Sequence, residues 1–175
     1  MTVNLRRSNI AYSTVMIAAS AIALPVTALP VTAYAEPAPC ADGQVQVSRG
    51  GEYARTGHRA VVLRFRPAPG AQACTLTGYP GVDSGAGGPL LHAERTLAGF
   101  MGGLDTDRLP TLTVSEDQPA TALVEGVAVD RLDPDRVCPT YRQLVVTPPD
   151  TTVATTIPIV MDTCALQVHP MGTSW

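Results

Sequence analysis

The side chains that could act in catalysis or hold a metal are few and widely separated. The histidines lie on three different segments without H-x-x-x-H or similar metal-ligand spacing; they are His58, His92 and His169. The acidic clusters that could hold Ca²⁺ lack the glycine-punctuated loop of known oxygen-ligand motifs. These clusters are Asp105 with Asp107, and Asp130 with Asp133 and Asp135. Structural or surface roles are favoured for all of them, so we expect no metal and no cofactor.

One glycine-rich run invites comparison with a catalytic motif. The segment Asp83-Ser84-Gly85-Ala86-Gly87-Gly88-Pro89 resembles the Gly-Asp-Ser-Gly-Gly-Pro run around the nucleophile of chymotrypsin-type proteases, and His58 lies upstream as that family requires. However, Ala86 interrupts the glycines, and Val82 stands where the family has glycine. The chain after its leader is also too short for the two barrels that assemble such triads. We interpret the run as a loop and expect the protein not to be an enzyme.

The N-terminus has the pattern of a secretory signal peptide. Arg6 and Arg7 precede an apolar, Ala-rich run over 15–29, and Ala33-Tyr34-Ala35 supplies the small residues of a cleavage site. We therefore predict a signal peptide over 1–35 and a single mature domain over 36–175. A membrane anchor is disfavoured because prolines interrupt the apolar run. A twin-arginine signal matches poorly, and acylation at Cys40 is disfavoured because proline precedes that cysteine.

Composition and net charge limit the classes of partner that the protein can bind. The chain has 12 basic and 15 acidic residues, and every basic residue is arginine, which indicates a GC-rich bacterial genome. Loss of Arg6 and Arg7 with the leader leaves a formal charge of −5. We therefore expect no nucleic-acid partner, and an acidic domain is repelled by anionic membrane surfaces. We expect a monomer without a membrane span in its mature form.

Alternating polar and apolar residues between turn signals predict a series of short strands. The predicted strands cover 44–48, 59–66, 74–77, 111–114, 120–129, 141–147, 153–161 and 166–169. Turns are predicted at Arg49-Gly50-Gly51 and Thr56-Gly57, and a type II turn has Pro80 and Gly81 at its centre. The segment 90–100 fits either a short helix from Pro89 or a strand. The pattern predicts an all-β fold, an antiparallel immunoglobulin-like β-sandwich of about seven to nine strands.

All four cysteines fall in the mature part, and an even count in an exported chain implies disulfides. Of the three possible connectivities we predict Cys40 with Cys74 and Cys138 with Cys164. Each pair brackets two predicted strands, and antiparallel pairing brings such flanking positions together.

The order of these motifs resembles a known family. Cys74-Thr75-Leu76-Thr77-Gly78-Tyr79-Pro80-Gly81-Val82 lies between the first and third cysteines, and Val168-His169-Pro170 follows the last. These residues are similar to the secreted actinobacterial family catalogued as domain of unknown function 4232. The resemblance covers Cys40 to about Gly172. It implies an exported four-cysteine β-sandwich, favours a strand in the ambiguous segment and supplies no catalytic residues.

These observations favour a non-catalytic interaction domain that is secreted or associated with the cell wall, and whose partner is an unknown protein or envelope component. The alternatives are a secreted enzyme of unrecognised type and a passive structural or stress-protective envelope protein. If the domain binds a partner, we expect the contact at the 78–82 turn and the segment 84–108. Tyr79, Phe100 and Met101 are the candidate interaction residues there.

Overall fold

The computed structural model describes residues 35–103, 108–130 and 132–175. The predicted signal peptide lies outside these ranges except for Ala35, and Asp105 and Asp107 lie outside them as well. All the named elements are β-strands, which confirms the predicted all-β class. Within the described ranges, no helix has the length and apolar character needed to cross a membrane.

Eight of the named strands overlap the eight predicted ones, and the four others lie in 81–103, where the sequence predicts a turn, a loop and a segment of ambiguous structure. The strands are β1 Val45–Arg55, β2 His58–Pro67, β3 Cys74–Thr77, β4 Gly81–Ser84, β5 Glu94–Arg95, β6 Ala98–Gly99, β7 Gly102–Gly103, β8 Thr111–Val114, β9 Ala120–Val127, β10 Thr140–Thr147, β11 Thr155–Asp162 and β12 Ala165–Val168. Three of them have only two residues, so nine longer strands remain among the described residues, within the predicted range. An immunoglobulin-like arrangement of these strands stays a prediction.

Two main sheets carry the fold. The larger has five strands in the order β1-β2-β9-β12-β5, and the smaller has three in the order β11-β10-β4. Every pairing in them is antiparallel except the short parallel pairing of β12 with β5. Strands β3 and β8 form a two-stranded sheet, and β6 and β7 form a short hairpin.

Strands β1 and β2 form the predicted hairpin. Gly57 has a φ of 74° in the turn between them, a conformation that glycine adopts without a Cβ clash. The turn predicted at Arg49-Gly50-Gly51 is wrong, because β1 continues through these residues to Arg55. The register shifts by one residue between Arg49 and Glu52, so the glycines form a β-bulge and not a chain reversal.

The main core is built from side chains that alternate inward from both sheets. It includes Leu63 and Phe65 of β2, Val124 of β9, Leu144 of β10 and Ile159 of β11. Burying an apolar side chain of this size stabilises the folded state by roughly 1.5–3 kcal/mol. Contacts across this core therefore hold the two sheets together.

The cysteines pair as predicted. The first disulfide joins Cys40 to Cys74, and the second disulfide joins Cys138 to Cys164, with Cα separations of 4.9 and 4.8 Å. The second disulfide closes the open end of the β10–β11 hairpin, where Thr140 pairs with Asp162. Antiparallel strand pairing thus brings Cys138 and Cys164 together, as the reasoning from the sequence required, whereas a parallel bridge between Pro39 and Thr75 places Cys40 beside Cys74.

Two further expectations are corrected. The type II turn centred on Pro80 and Gly81 is wrong, because Gly81 begins β4 and the positive φ, 93°, belongs to Gly78. The alternative of a helix from Pro89 is also wrong: the segment is extended, and β5 pairs with β12. The edge of β12 gives these residues a hydrogen-bonding partner that no local pattern reveals.

Candidate functional site

A buried polar site lies on the face of the larger sheet that points away from the main core, which we call the outer face. Alternation along β2 and β9 defines this face. Ala60 and Val62 of β2 and Leu123 of β9 form a second apolar cluster separate from the main core. Glu125 of β9 points to the same face, because side chains at i and i+2 share one side of a strand.

Glu125 and His169 form a closed, hydrogen-bonded pair. Both side chains are fully buried, and the Glu125 Oε1 to His169 Nε2 distance is 2.6 Å. The second carboxylate oxygen, Oε2, accepts the Met101 backbone N–H at 2.7 Å. Each carboxylate oxygen therefore has a protein donor. A buried charged group without such partners would cost several kcal/mol, so this arrangement stabilises Glu125 inside the protein.

The β6–β7 hairpin covers this pair. A Cβ at Gly99 would lie 2.7 Å from Glu125 Oε1, and still closer to His169 Nε2, so only glycine fits directly over the pair. At the hairpin tip, Phe100 stacks on His58 with ring centroids 4.9 Å apart, and Met101 packs against the Ala60, Val62 and Leu123 cluster. The hairpin thus closes this half of the outer face to solvent.

Trp175 connects the closed half of the outer face to an open half. Its ring lies against the His169 ring at a centroid distance of 4.6 Å and packs on the same apolar cluster as Met101. Neither Trp175 Nε1 nor His169 Nδ1 has a hydrogen-bond partner among the described residues, although both atoms are buried. The indole is therefore held by ring contacts and apolar packing.

On the other side of Trp175 the outer face is open and forms a groove of about 340 Å³. The groove is lined by Gly51, Tyr53, Val62, Arg64, Arg66, Pro119, Thr121, Thr173, Ser174 and Trp175. Arg64 and Arg66 are exposed, and neither forms an ion pair with a residue in the described ranges. No acidic side chain lines the groove. The groove therefore presents uncompensated positive charge beside two aromatic rings.

The protease-like run does not form a catalytic site. Ser84 is buried at 3% exposure, and its hydroxyl accepts the Leu91 N–H at 2.7 Å. Asp83 pairs instead with His92, at 2.6 Å between Oδ1 and Nδ1, in an exposed position. His58 lies under Phe100 on the outer face. The hydroxyl thus bonds to the local backbone. Asp83 and Ser84 belong to β4, so the loop predicted for the whole run begins only at Gly85.

Asp130, of the predicted acidic cluster, is held by a hydrogen bond and an ion pair with nearby residues. Asp130 accepts the Leu132 backbone N–H at 2.9 Å and pairs with Arg136 at 3.2 Å. The hydrogen bond from Leu132, with the nearby Arg136 charge, lowers the pKa of Asp130 below its usual value. Across the described ranges, no three histidine, cysteine or acidic side chains converge as a metal site would require.

The three predicted interaction residues do not form one patch. Tyr79 packs against the main core, with the Arg95 guanidinium 5.9 Å above its ring. Phe100 and Met101 share the hairpin on the outer face. All three are partly buried, so each has a packing role beside any role in binding.

Reasoning from the sequence missed Glu125, Trp175 and the arginine pair. A signal for Glu125 was present: it is the only charged residue in the apolar run Ala120–Val129, which otherwise predicts a strand buried on both faces. An acid in such a strand needs a buried partner. No spacing rule identifies His169, 44 residues later, as that partner.

Comparison with known proteins gives one match. Residues 40–173 match the model of a family described as a domain of unknown function, DUF4232. No curated protein and no solved structure matches the chain.

Proposed function

We propose, from the premise that the chain belongs to the DUF4232 family of domains of unknown function, that it is a non-catalytic extracellular or cell-envelope domain that binds an anionic envelope component. The ligand lies in the groove of the outer face, against Arg64 and Arg66. The single observation that carries the proposal is the pair of exposed arginines without acidic neighbours in that groove.

The charge of the groove differs from that of the domain as a whole. The chain has a formal net charge of −3, whereas the only charged residues that line the groove are Arg64 and Arg66. Arginine presents a planar fork of donors that matches the two oxygens of a carboxylate or phosphate. Binding an anion would satisfy both guanidinium groups without displacing an existing ion pair.

A non-catalytic role agrees with the position of the reactive groups. The Glu125–His169 pair is closed off by the hairpin, and the Ser84 hydroxyl accepts a backbone N–H. A general base must reach its substrate within hydrogen-bonding distance, directly or through one water. Neither group has that access in this conformation.

The disulfides support an extracellular location. Two disulfides are formed and no cysteine is free among the described residues, a pattern that persists in oxidising compartments. The signal-peptide pattern at the N-terminus agrees with it. The partner is therefore expected in the envelope or the medium.

The test is binding of the exported protein to cell envelopes isolated from the producing bacterium. We expect Arg64→Gln with Arg66→Gln to weaken retention at least about tenfold, because each arginine supplies a charge-assisted hydrogen bond. Arg142→Gln is the matched control, since Arg142 is an exposed arginine on β10, outside the groove. Equal retention of the groove variant and the control would contradict the proposal. Retention should also fall with added salt.

A further inference from the structure

The groove combines two kinds of recognition element on one surface. Arg64 and Arg66 stand two residues apart on β2 and therefore point to the same side of the sheet, roughly 7 Å apart along the strand. Tyr53, 47% exposed, lies on the neighbouring strand opposite Ala60, and Trp175 forms the wall next to Thr121. Charge and aromatic surface thus lie within a single groove of about 340 Å³.

The Trp175 ring is held in place before any ligand arrives. Trp175 is packed against the buried His169 ring, and His169 is held by its hydrogen bond with Glu125. A rigid aromatic platform loses little conformational entropy on binding, so its contact area contributes efficiently to affinity. Such a platform suits a ligand with flat, partly apolar faces.

The rim of the groove adds hydroxyl groups. Thr173 and Ser174 are exposed, and neither side chain has a hydrogen-bond partner in the part of the chain that the structure describes. Thr121, by contrast, donates its hydroxyl to the Gly172 carbonyl at 3.2 Å. Two free hydroxyls beside two guanidinium groups favour a ligand that carries both hydroxyl and anionic oxygens.

We infer that the ligand is an acidic polysaccharide, a sugar chain that carries carboxylates. The arginines receive its carboxylates, Tyr53 and Trp175 contact the apolar faces of its sugar rings, and the rim hydroxyls contact its hydroxyl groups. This inference rests on the proposed function, because it names the chemical class of the anionic component. A polymer of phosphates alone would use the arginines but leave the aromatic rings without a partner.

Trp175 makes the inference testable, because it is the only tryptophan in the chain. Polygalacturonate is titrated into the exported protein while tryptophan fluorescence is followed. Highly methyl-esterified polygalacturonate is the uncharged counterpart with the same backbone, and inorganic polyphosphate is the anion without sugar rings. We expect a saturable fluorescence change with polygalacturonate, and at least about tenfold weaker binding of both comparison polymers.

Variants separate the contributions of charge and aromatic surface. Arg64→Gln and Tyr53→Ala should each weaken polygalacturonate binding by about tenfold, whereas Arg142→Gln should leave it unchanged. Circular dichroism confirms that each variant is folded. Because Tyr53 is half exposed on an edge strand, its loss tests contact and not core packing.

Different results would overturn the polysaccharide inference and the proposed function. Polyphosphate binding as tight as polygalacturonate binding, or Tyr53→Ala without effect, would overturn the polysaccharide and leave an anion-binding groove. Absence of polygalacturonate binding together with arginine-dependent retention on envelopes would also overturn it, without touching the proposed function. Retention on envelopes that does not depend on Arg64 and Arg66 would refute the proposed function itself.

Discussion

Replacement of Glu125 by alanine should be among the most destabilising single changes in the domain. The carboxylate is fully buried and accepts from His169 Nε2 at 2.6 Å and from the Met101 N–H at 2.7 Å. Glu125→Ala removes both acceptors and leaves two buried polar groups without partners. Each orphaned group costs about 1–3 kcal/mol, and breaking a buried pair typically costs about 3–5 kcal/mol in total. We expect the free energy of unfolding to fall by about 4 kcal/mol.

Two variants serve as references. Glu125→Gln keeps the shape and one carbonyl acceptor for Met101, so we expect a loss of about 1–2 kcal/mol. Glu116→Ala removes an exposed glutamate and should change the free energy of unfolding by less than about 0.5 kcal/mol. Comparison of the three variants separates the loss of the buried contacts from the loss of a negative charge.

Urea denaturation provides the measurement. Far-ultraviolet circular dichroism reports unfolding of the sheets, and Trp175 fluorescence reports the outer face, because this residue packs on His169. In Glu125→Ala, native-state fluorescence should change as His169 loses its fixed orientation. If Glu125→Ala lowers the free energy of unfolding by less than about 1 kcal/mol and leaves the fluorescence unchanged, the argument is refuted. Such a result would mean that the carboxylate is not closed off from water or does not bond to both His169 and Met101.

Three further outcomes are expected. Replacing Cys138 and Cys164 by serine should lower the free energy of unfolding by about 3–4 kcal/mol, because their disulfide closes a loop of 26 residues in the unfolded chain. Urea denaturation measures this change, and an unchanged free energy of unfolding would contradict the prediction. Hydrogen bonds from Thr152 lower the pKa of the Asp42 carboxyl, so NMR titration should find it below its usual value. This contact should stabilise the folded state above the usual pKa of an aspartate, and the stabilisation should be lost as pH falls through the pKa of Asp42 in the folded protein. In Asp42→Asn this part of the pH dependence should be absent. We expect Tyr79→Ala to lower the free energy of unfolding by about 2 kcal/mol because the ring packs against the main core. Loss of envelope binding by Tyr79→Ala or Phe100→Ala at unchanged stability would support the predicted interaction role, and unchanged binding per folded molecule would count against it.

Strands with clear alternation are predictable from the sequence alone. The strand predicted over 111–114 has those bounds in the structure, and β9, β10 and β12 differ from prediction by one or two residues at their ends. Each of these strands has a regular pattern and a turn signal at its ends, so local preference and tertiary packing agree. The disulfide pairing follows from the same strand pairs.

The segment 83–103 could not be predicted in the same way. Its strands have two residues each, and β5 is extended because the edge of β12 offers hydrogen-bonding groups. The strands of the β6–β7 hairpin consist almost entirely of glycine and show no alternation of polar and apolar side chains. The sequence therefore does not show which part of the larger sheet this hairpin covers. Gly99 lies over the Glu125–His169 pair because of contacts between residues distant in the chain.

The boundary between the closed and open halves of the outer face is nevertheless visible in β2. After His58 and Arg59, the residues Ala60–Leu63 form a continuous apolar run, which is expected where a strand is covered on both sides. From Arg64 onward the strand alternates, with Phe65 inward and Arg64 and Arg66 outward, the pattern of a strand with one face in water. The change of pattern marks the place where the cover formed by the hairpin and Trp175 ends. The arginines begin where that cover stops, so the same change marks the groove in which we place the ligand.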